Sequence, residues 1–257
     1  MTSATERAAG GSGDGHQLEP GENLVTVVYQ DADLLVLNKP AGLVCHPTKG
    51  GVYSSLISRA RLWLGPGSSP QMVNRLDRET SGLVLLARTP EAARELRRIW
   101  ESRLARKEYL AIVRGQPVNG QGLIEAPLGK DEGSSVVIKD CVRPDGAAAQ
   151  TEYWVERTFS RPEGSFALVR VAPRTGRKHQ IRIHLAWLGH PVVGDKLYGG
   201  DETAYLDFVY RRLSDEQRER LILPFHALHA RVLEFRWRDV ERRFEAEPEP
   251  WFTRFLR

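Results

Sequence analysis

The chain has 257 residues, 41% of them apolar and 27% charged, which is enough to bury a sizeable core in one large domain or two closely joined lobes. No apolar run approaches the roughly 18 residues of a membrane span, no leader-like segment opens the chain, and two cysteines cannot form a disulfide framework, so a cytoplasmic globular protein is predicted. The formal net charge is +4, and it is +7 for the 36 basic and 29 acidic residues that follow residues 1–22.

The predicted order begins with a disordered tail at residues 1–22, which are rich in glycine, serine and charge. The folded domain is expected over residues 23–257. The segments LVTVVYQ and DLLVLNK alternate apolar and polar residues on either side of a turn-forming Asp31-Ala32-Asp33, which predicts a hairpin or two adjacent strands. Apolar residues at helical spacing predict a first helix from Val52 to Leu64, ended by GPGSSP.

A second helix is predicted after the short apolar strand GLVLLAR. Thr89 supplies a capping hydroxyl and Pro90 suits the first helical position. Four apolar residues between Leu96 and Leu104 share one face of this helix. The four arginines between Arg94 and Arg103 are therefore expected to point outward.

From Tyr109 to the C-terminus, the pattern predicts a succession of strands. They are YLAIVRG, GLIEAPLG, SSVVIKD, TEYWVERTF, SFALVRVAP, LHARVLEFRW and RRFEAEP. HQIRIHLAWLG predicts a helix ended by Gly189, and residues 203–223 predict one or two more. Because strands outnumber helices and lack regular helical crossovers, the pattern favours a mixed or antiparallel sheet with helices packed around it.

Two stretches concentrate the positive charge of the predicted domain. Residues 161–182 hold six basic residues and one acid, and residues 94–107 hold six basic residues and two acids. Such clusters suit contacts with phosphate, although a charged helix face is usually just solvated. Charge alone therefore leaves nucleic-acid binding open.

The stretch VNRLDRETSG sets Asp77 between two arginines and shortly before a predicted strand. A lone aspartate in this position is most often a cap or a surface ion-pair partner. However, the turn-prone Thr80-Ser81-Gly82 and the following strand would hold the loop rigidly. A fixed carboxylate is what covalent or general-base work at a sugar carbon requires.

The sequence predicts neither a metal nor a cofactor. His179 and His184 are close in sequence, as are His226 and His229, but neither pair has a carboxylate or cysteine partner in a recognised ligand pattern. The segment RTGR has one glycine where a nucleotide-binding loop needs several at fixed spacing. Cys45 and Cys141 form no metal-type pair, so we expect two ordinary thiols.

NRLDRETSG resembles the catalytic signature of the RluA-type RNA pseudouridine synthases, which usually contains His-Arg-Leu-Asp-x-x-Thr-Ser-Gly. Further segments with the same resemblance are LLVLNKPAGLVCHP, KEYLAIVRG, APLGKD with VRPDG downstream, RTGRKHQIRIHLAWLGHPVVGDKLYG and HALHARVLEF. They follow the order of that family from about Leu24 to the penultimate strand. One such motif is weak, whereas six in order are specific.

The resemblance implies an α+β fold, with a bent, mixed and mostly antiparallel sheet, flanking helices and a central catalytic cleft. It implies that Asp77 acts at the ribose of a target uridine, that Tyr109 stacks on the uracil and serves in removing the C5 proton, and that Arg182 pairs with Asp77. Addition to C1′ and removal of a C2′ proton both remain open. Either route needs an ionised carboxylate, which nearby cations favour.

The resemblance also implies how RNA is bound. Arg75 matches an arginine that moves into the space left by the flipped nucleotide, and flipping is expected because a stacked base cannot turn in place. RNA contacts are further expected from the basic segment that contains Arg174, Arg177, Lys178 and His179.

The chain departs from the family pattern at two points. Asn74 stands where histidine is usual, and asparagine keeps a donor and an acceptor but does not titrate near neutrality. Residues 1–22 are too few for the small S4-type RNA-binding domain that often precedes the catalytic domain in this family. We therefore expect substrate recognition by the catalytic domain's own basic surface.

These features together predict an isomerase that converts specific uridines to pseudouridine in structured RNA, either ribosomal or transfer RNA. The protein is expected to act as a monomer without a cofactor, a metal or a membrane. A non-catalytic RNA-binding protein that retains the fold is the alternative, although it leaves Asp77, Tyr109 and Arg182 without a reason to occur together. A glycoside hydrolase would need two cooperating carboxylates, and the matched segments offer one.

Overall fold

The computed structural model of the protein describes residues 24–47, 51 and 53–257. The tail predicted at residues 1–22 lies outside these ranges, as does Val52. Strands and helices occur in the following order: β1 Thr26–Gln30, β2 Leu34–Lys39, α1 Leu56–Leu64, β3 Gln71–Met72, β4 Ser81–Ala87, α2 Pro90–Glu101, β5 Arg106–Arg114, β6 Gln121–Glu125, β7 Leu128–Lys130, β8 Asp140–Val142, β9 Gln150–Arg161, β10 Gly164–Pro173, α3 Gln180–Trp187, α4 Thr203–Val209, α5 Asp215–Leu221, β11 Leu228–Trp237, β12 Val240–Glu245 and α6 Pro250–Phe255.

Most of the strands build one large sheet. Within the described ranges it has ten strands, of which eight follow the order β1-β2-β4-β11-β5-β10-β9-β6, while β12 pairs with β11 and β3 with β4. The pairing of β4 with β11 is parallel and the other pairings are antiparallel. β7 and β8 form a separate antiparallel pair. The predicted α+β class with a mixed, mostly antiparallel sheet is therefore confirmed.

Strand β4 runs through the middle of one half of the molecule, and all seven of its residues are buried. Leu83 and Leu85 pack in a cluster with residues of α2, whereas Val84 and Leu86 pack in a cluster with residues of α1. Successive side chains of a strand point to opposite faces of a sheet, so this apolar run is covered by a helix on each side. A further cluster joins β5 and β10 to α3 and α6.

Helix α2 begins as predicted. The Thr89 hydroxyl accepts a hydrogen bond from the main-chain N–H of Ala92, and Pro90 occupies the first turn. The four arginines from Arg94 to Arg103 are exposed, which confirms their outward orientation. Leu104, in contrast, lies beyond the end of the helix and is 71% exposed, so its expected place on the apolar face is wrong.

Two other boundaries differ from the prediction. Helix α1 begins at Leu56, because the Ser55 hydroxyl caps it by accepting from the main-chain N–H of Ser58. The segment SSVVIKD is not a strand: residues 134–139 form turns, and Val137 is 79% exposed. An apolar run becomes a strand only where a neighbouring strand edge receives its hydrogen bonds, and Val136 and Lys139 close a turn instead. No helix in the described part of the chain has the length and apolar character needed to cross a bilayer.

Candidate active site

Asp77 lies in the loop between β3 and β4, and the end of this loop is anchored by two buried hydroxyls. The Thr80 hydroxyl lies 2.7 Å from His226 Nε2, and the Ser81 hydroxyl lies 2.9 Å from His229 Nδ1. Burial lowers the pKa of His226 to about 3 and that of His229 to about 4, so both rings are neutral near pH 7. His226 and His229, one of the two histidine pairs considered as metal ligands, are therefore hydrogen-bond partners of the loop.

Gly82 permits the parallel contact that holds this loop against β11. Its φ angle is +110°, and a Cβ atom at this position would lie 2.3 Å from the main-chain oxygen of Ala230. Ser81 and Gly82 are the residues of β4 that pair with β11. Only glycine allows so close an approach at this backbone conformation, which explains the glycine that ends the Thr80-Ser81-Gly82 turn.

Lys39 also anchors the loop that carries Asp77. Its side chain is fully buried, and Nζ donates to the main-chain carbonyls of Pro40, Leu43 and Arg78 at 2.8, 2.8 and 3.1 Å. Burial lowers the pKa of this ammonium to about 8. Because Arg78 directly follows Asp77, the lysine ties the aspartate loop to the end of β2.

Asn74 contributes to the geometry of the loop through its amide. Its Nδ2 donates to the carbonyl of Leu83 at 3.2 Å, and its Oδ1 accepts from the N–H of Leu85 at 2.8 Å. The side chain thus continues the pairing of β3 with β4. This role needs a donor and an acceptor but no titratable ring, in line with the departure noted at this position.

Arg182, on helix α3, brings the two halves of the site together. Its Nη1 donates to Asp77 Oδ2 at 2.9 Å, across 105 positions of sequence. Its Nε and Nη2 donate to Asp195 Oδ2 and Oδ1 at 2.6 and 2.8 Å. The contact between Arg182 and Asp77 that the resemblance implies is therefore present, and the same guanidinium also serves a second carboxylate.

Asp195 was missed by the sequence analysis. Its side chain has 0% exposure, and Oδ1 also accepts from the N–H groups of Leu197 and Tyr198 at 2.9 and 3.0 Å. Gly194 places this turn directly against Phe225, because its φ is +81° and a Cβ atom would lie 2.3 Å from the Phe225 oxygen. The segment HPVVGDKLYGG carried a detectable signal, an acid after glycine, but sequence alone does not show which cation it binds.

The carboxylate of Asp77 is ionised and remains accessible. Burial by itself raises its pKa, but the charge and hydrogen bond of Arg182, together with the smaller influence of His179 and His226, outweigh burial, and the pKa lies below its ordinary value. The side chain is 32% exposed. Its Oδ1 lies 3.9 Å from His179 Nε2, which is beyond hydrogen-bond distance, so one oxygen is anchored and the other is open.

His179 lies in the site and not on an outer surface. Its side chain is 9% exposed, and Nδ1 lies 2.9 Å from the Tyr198 hydroxyl. It is the residue immediately before α3, with a φ of 55°. Among the basic residues expected to contact RNA, it is the one that the fold brings to Asp77.

Tyr109 lies on β5, partly buried and packed against the β5–β10 core. Burial and the charge of Asp77 raise the pKa of its phenol, so the hydroxyl is neutral at ordinary pH. Among the described residues, this hydroxyl has no hydrogen-bond partner.

A model of the RNA pseudouridylate synthase family matches residues 33–187, which is more than half of the chain. The chain belongs to this family. The region that carries the match includes Asp77, Tyr109 and Arg182, whereas Asp195 lies just beyond it.

Relatives and solved structures agree with this placement. The chain is 44% identical to an uncharacterized RNA pseudouridine synthase of Chloroflexus aurantiacus, over 73% of this chain and 62% of that protein. It is 37% identical to the dual-specificity RNA pseudouridine synthase RluA of Salmonella typhimurium, over 73% of this chain and 83% of that protein. The structure of human RNA pseudouridylate synthase domain containing 1 superposes with a TM-score of 0.70 at 27% identity, covering 91% of this chain and 87% of the human chain.

The match covers only part of some relatives. The chain spans 57% and 62% of the length of two uncharacterized RNA pseudouridine synthases. The relationship to RluA over most of its length identifies the chain as an RluA-type member of the pseudouridylate synthase family.

A second ion pair, between Lys196 and Glu79, supports the same site. Lys196 Nζ donates to both oxygens of Glu79, at 2.8 and 3.0 Å, and to the carbonyl of Pro224. Burial raises the pKa of Glu79, although Lys196 opposes this. Glu79 lies two positions after Asp77, and Lys196 directly follows Asp195. The segments that carry the two aspartates are therefore joined by this ion pair as well as by Arg182.

The remaining residues expected to contact RNA lie on more open surfaces. Arg174 and Lys178 are about half exposed, and each forms an ion pair with a carboxylate, at 2.7 and 3.0 Å. Arg177 donates through Nε to a main-chain carbonyl at 3.3 Å. Arg75 is exposed and has no ion pair within the described ranges. In these same ranges, no three His, Cys, Asp or Glu residues are grouped to hold a metal ion.

Proposed function

We propose that this protein is an RNA pseudouridine synthase, an isomerase that converts specific uridines to pseudouridine in structured RNA. The observation that carries the proposal is the state of Asp77, which is ionised, anchored at Oδ2 by Arg182 and open at Oδ1. A fixed, ionised carboxylate with one accessible oxygen is what nucleophilic or general-base work at a ribose carbon requires.

In the proposed reaction, Asp77 acts at the ribose of the flipped uridine, either by adding to C1′ or by taking a C2′ proton. The bond between C1′ and N1 breaks, the uracil turns, and a new bond forms between C1′ and C5. The proton on C5 is lost and N1 gains one, so the product is an isomer of the substrate. Tyr109 stacks on the uracil and serves in removing the C5 proton, and Arg182 keeps Asp77 ionised and in position.

Exposed basic side chains near the site support RNA as the substrate class. Arg75, Arg174, Arg177 and Lys178 are the side chains proposed to contact the RNA backbone, and His179 is proposed to contact the target nucleotide beside Asp77. We propose ribosomal or transfer RNA as the substrate. Such structured RNA is recognised largely by shape and unstacked loop bases. The name of the Salmonella relative, a dual-specificity enzyme, supports more than one RNA target. We propose action as a monomer in the cytoplasm without a cofactor.

The test is formation of pseudouridine by the purified protein in total RNA. We expect the parent to form pseudouridine at defined positions, and Asp77→Asn to form none while its RNA affinity stays within a few-fold. Asp239→Asn is the matched control, because Asp239 is a 95% exposed turn residue of the β11–β12 hairpin and the change is chemically the same. Substantial turnover by Asp77→Asn would contradict the assignment of the carboxylate.

The same experiment separates the alternative function. A folded parent protein that binds RNA tightly but forms no pseudouridine in any fraction would support a non-catalytic RNA-binding protein. A map of pseudouridine in total RNA from cells with and without the protein would then identify the target positions.

A further inference from the structure

Lys107 differs from the other buried lysines of the described chain. The ammonium of Lys39 has three carbonyl acceptors, and those of Lys139 and Lys196 have carboxylates at 2.6 and 2.8 Å. Lys107 is partly buried on β5, yet no hydrogen bond or ion pair of its ammonium occurs among the described residues. Its positive charge is thus left without a partner in the described part of the chain.

The position of Lys107 relates it directly to the active site. It precedes Tyr109 by two residues on β5, and since alternate side chains share a face of a strand, both point to the same side of the sheet. At about 3.3 Å per residue, their Cα atoms are roughly 7 Å apart. This separation is within the reach of a single nucleotide.

The ammonium of Lys107 also lies against the turn formed by residues 174–177. Its Nζ is 3.8 Å from the position that a Cβ atom of Gly176 would take. The turn is held firmly, because the Oε1 of Gln180 accepts from the Thr175 hydroxyl at 2.7 Å and from the N–H of Arg177 at 3.0 Å. The lysine therefore faces a fixed basic turn.

An unpaired cation in this position is costly for the free protein. Burial lowers the pKa of Lys107, and no described carboxylate offsets the effect. Removing a charge from water without a counter-ion is unfavourable, so such groups are normally paired. An anion supplied by a ligand would provide the missing partner.

We propose that Lys107 and the turn at residues 174–177 form a subsite for one backbone phosphate adjacent to the target uridine. The inference rests on the proposed function, because it assumes that the uridine lies between Asp77 and Tyr109. A phosphate diester is the anion that RNA carries next to every base, and lysine binds it as a compact point charge. The subsite fixes the register of the RNA strand relative to the reacting nucleotide.

The first test compares Lys107→Met with Lys130→Met, which removes the same charge from an exposed position on β7. We expect Lys107→Met to weaken binding of the substrate RNA about ten-fold and to reduce the slope of log Kd against log salt by about 0.7–0.9, the value for one phosphate contact. Lys130→Met should change neither of these, and Lys107→Arg, which keeps the charge, should keep the slope.

The second test identifies the phosphate. Phosphates flanking the target uridine are replaced one at a time by neutral methylphosphonates, and affinity is measured for the parent and for Lys107→Met. One replacement should weaken binding to the parent about ten-fold and have no further effect on Lys107→Met. Unchanged affinity and slope in a folded Lys107→Met variant would overturn the proposal.

These tests distinguish a wrong phosphate subsite from a wrong proposed function. If the parent forms no pseudouridine, the proposed function is wrong, and this appears in the parent alone. If the parent is active and Lys107→Met binds RNA with parental affinity and salt slope, the phosphate subsite is wrong. Because Lys107→Met removes an unpaired buried charge, its thermal unfolding midpoint should equal or exceed that of the parent.

Discussion

Replacing Arg182 by methionine tests how one guanidinium serves two carboxylates. The change removes one hydrogen bond to Asp77 and two to Asp195. A hydrogen bond to a charged group contributes about 1.5–3 kcal/mol. At about 1.4 kcal/mol per factor of ten, loss of the bond to Asp77 should lower the rate of the chemical step about 10- to 150-fold.

The pH profile of the rate shows in which direction the pKa of Asp77 changes when Arg182 is removed. In the parent, burial raises the pKa of Asp77, but Arg182, with smaller help from His179 and His226, holds it below its ordinary value. In the proposed reaction the ionised form of Asp77 is the active one, so the parent should keep its activity down to acidic pH. Without Arg182, the strongest positive charge that opposes the effect of burial is gone, and the pKa of Asp77 rises. The acid limb of the rate profile should therefore move to higher pH.

Loss of stability must be separated from loss of chemistry. Asp195 is fully buried, and removing its partner leaves an uncompensated charge that should destabilise the fold by about 3–5 kcal/mol. The double variant Arg182→Met/Asp195→Asn removes both charges and should recover much of that stability while the rate stays low. Arg182→Lys keeps a charge but loses the planar fork, so its rate should lie between those of methionine and the parent.

The assay is the single-turnover rate of pseudouridine formation as a function of pH, with thermal unfolding of each variant measured alongside. Rates are compared well below the unfolding midpoint of the least stable variant. A folded Arg182→Met variant with a near-parental rate and an unchanged acid limb would refute the positioning role of this ion pair.

Four further predictions follow from the same geometry. Lys39→Met leaves three main-chain carbonyls without their donor and should lower the free energy of unfolding by about 2–4 kcal/mol in denaturant titrations. Folding lowers the pKa of Lys39 from its ordinary value of 10.5 to about 8, so the unfolded chain binds more protons between these pH values and the parent should gain stability as pH rises through them. The variant should lose that gain, and a parental unfolding midpoint would contradict this role of Lys39. Tyr109→Phe should keep RNA affinity within a few-fold but lower the rate, whereas Tyr109→Leu should weaken both; equal behaviour of the two variants would exclude a role for the hydroxyl. If Arg75 and the three exposed basic residues from Arg174 to Lys178 each contact a phosphate, affinity should fall about 50- to 150-fold from ~50 to ~200 mM salt, and a flat response would mean that they are merely solvated. Chelators should leave the rate unchanged, and a loss restored by a divalent metal in the absence of RNA refolding would show that a metal site had been missed.

Much of the fold could be predicted because its signals are local. The buried run in β4 and the Thr89-Pro90 start of α2 depend on residues within a few positions of each other. The same reasoning predicted a strand at SSVVIKD, which was wrong, since an apolar run does not reveal whether a partner edge lies beside it. Helix α1 begins later than predicted for a different reason, because the Ser55 cap is a local signal that the helical spacing of Val52 outweighed in the prediction.

The sequence by itself singled out the candidate catalytic residues, since the segment around Asp77, the tyrosine of β5 and the arginine of α3 stand in recognisable motifs. Only the tertiary structure decided how they are used. The sharing of Arg182 between Asp77 and Asp195 and the approach of His179 to Asp77 join residues on separate elements. That Lys107 has no partner among the described residues likewise depends on which elements surround it. Hydrogen bonding and desolvation act through distances of a few ångströms in space, and linear order does not specify such distances across 105 positions of chain.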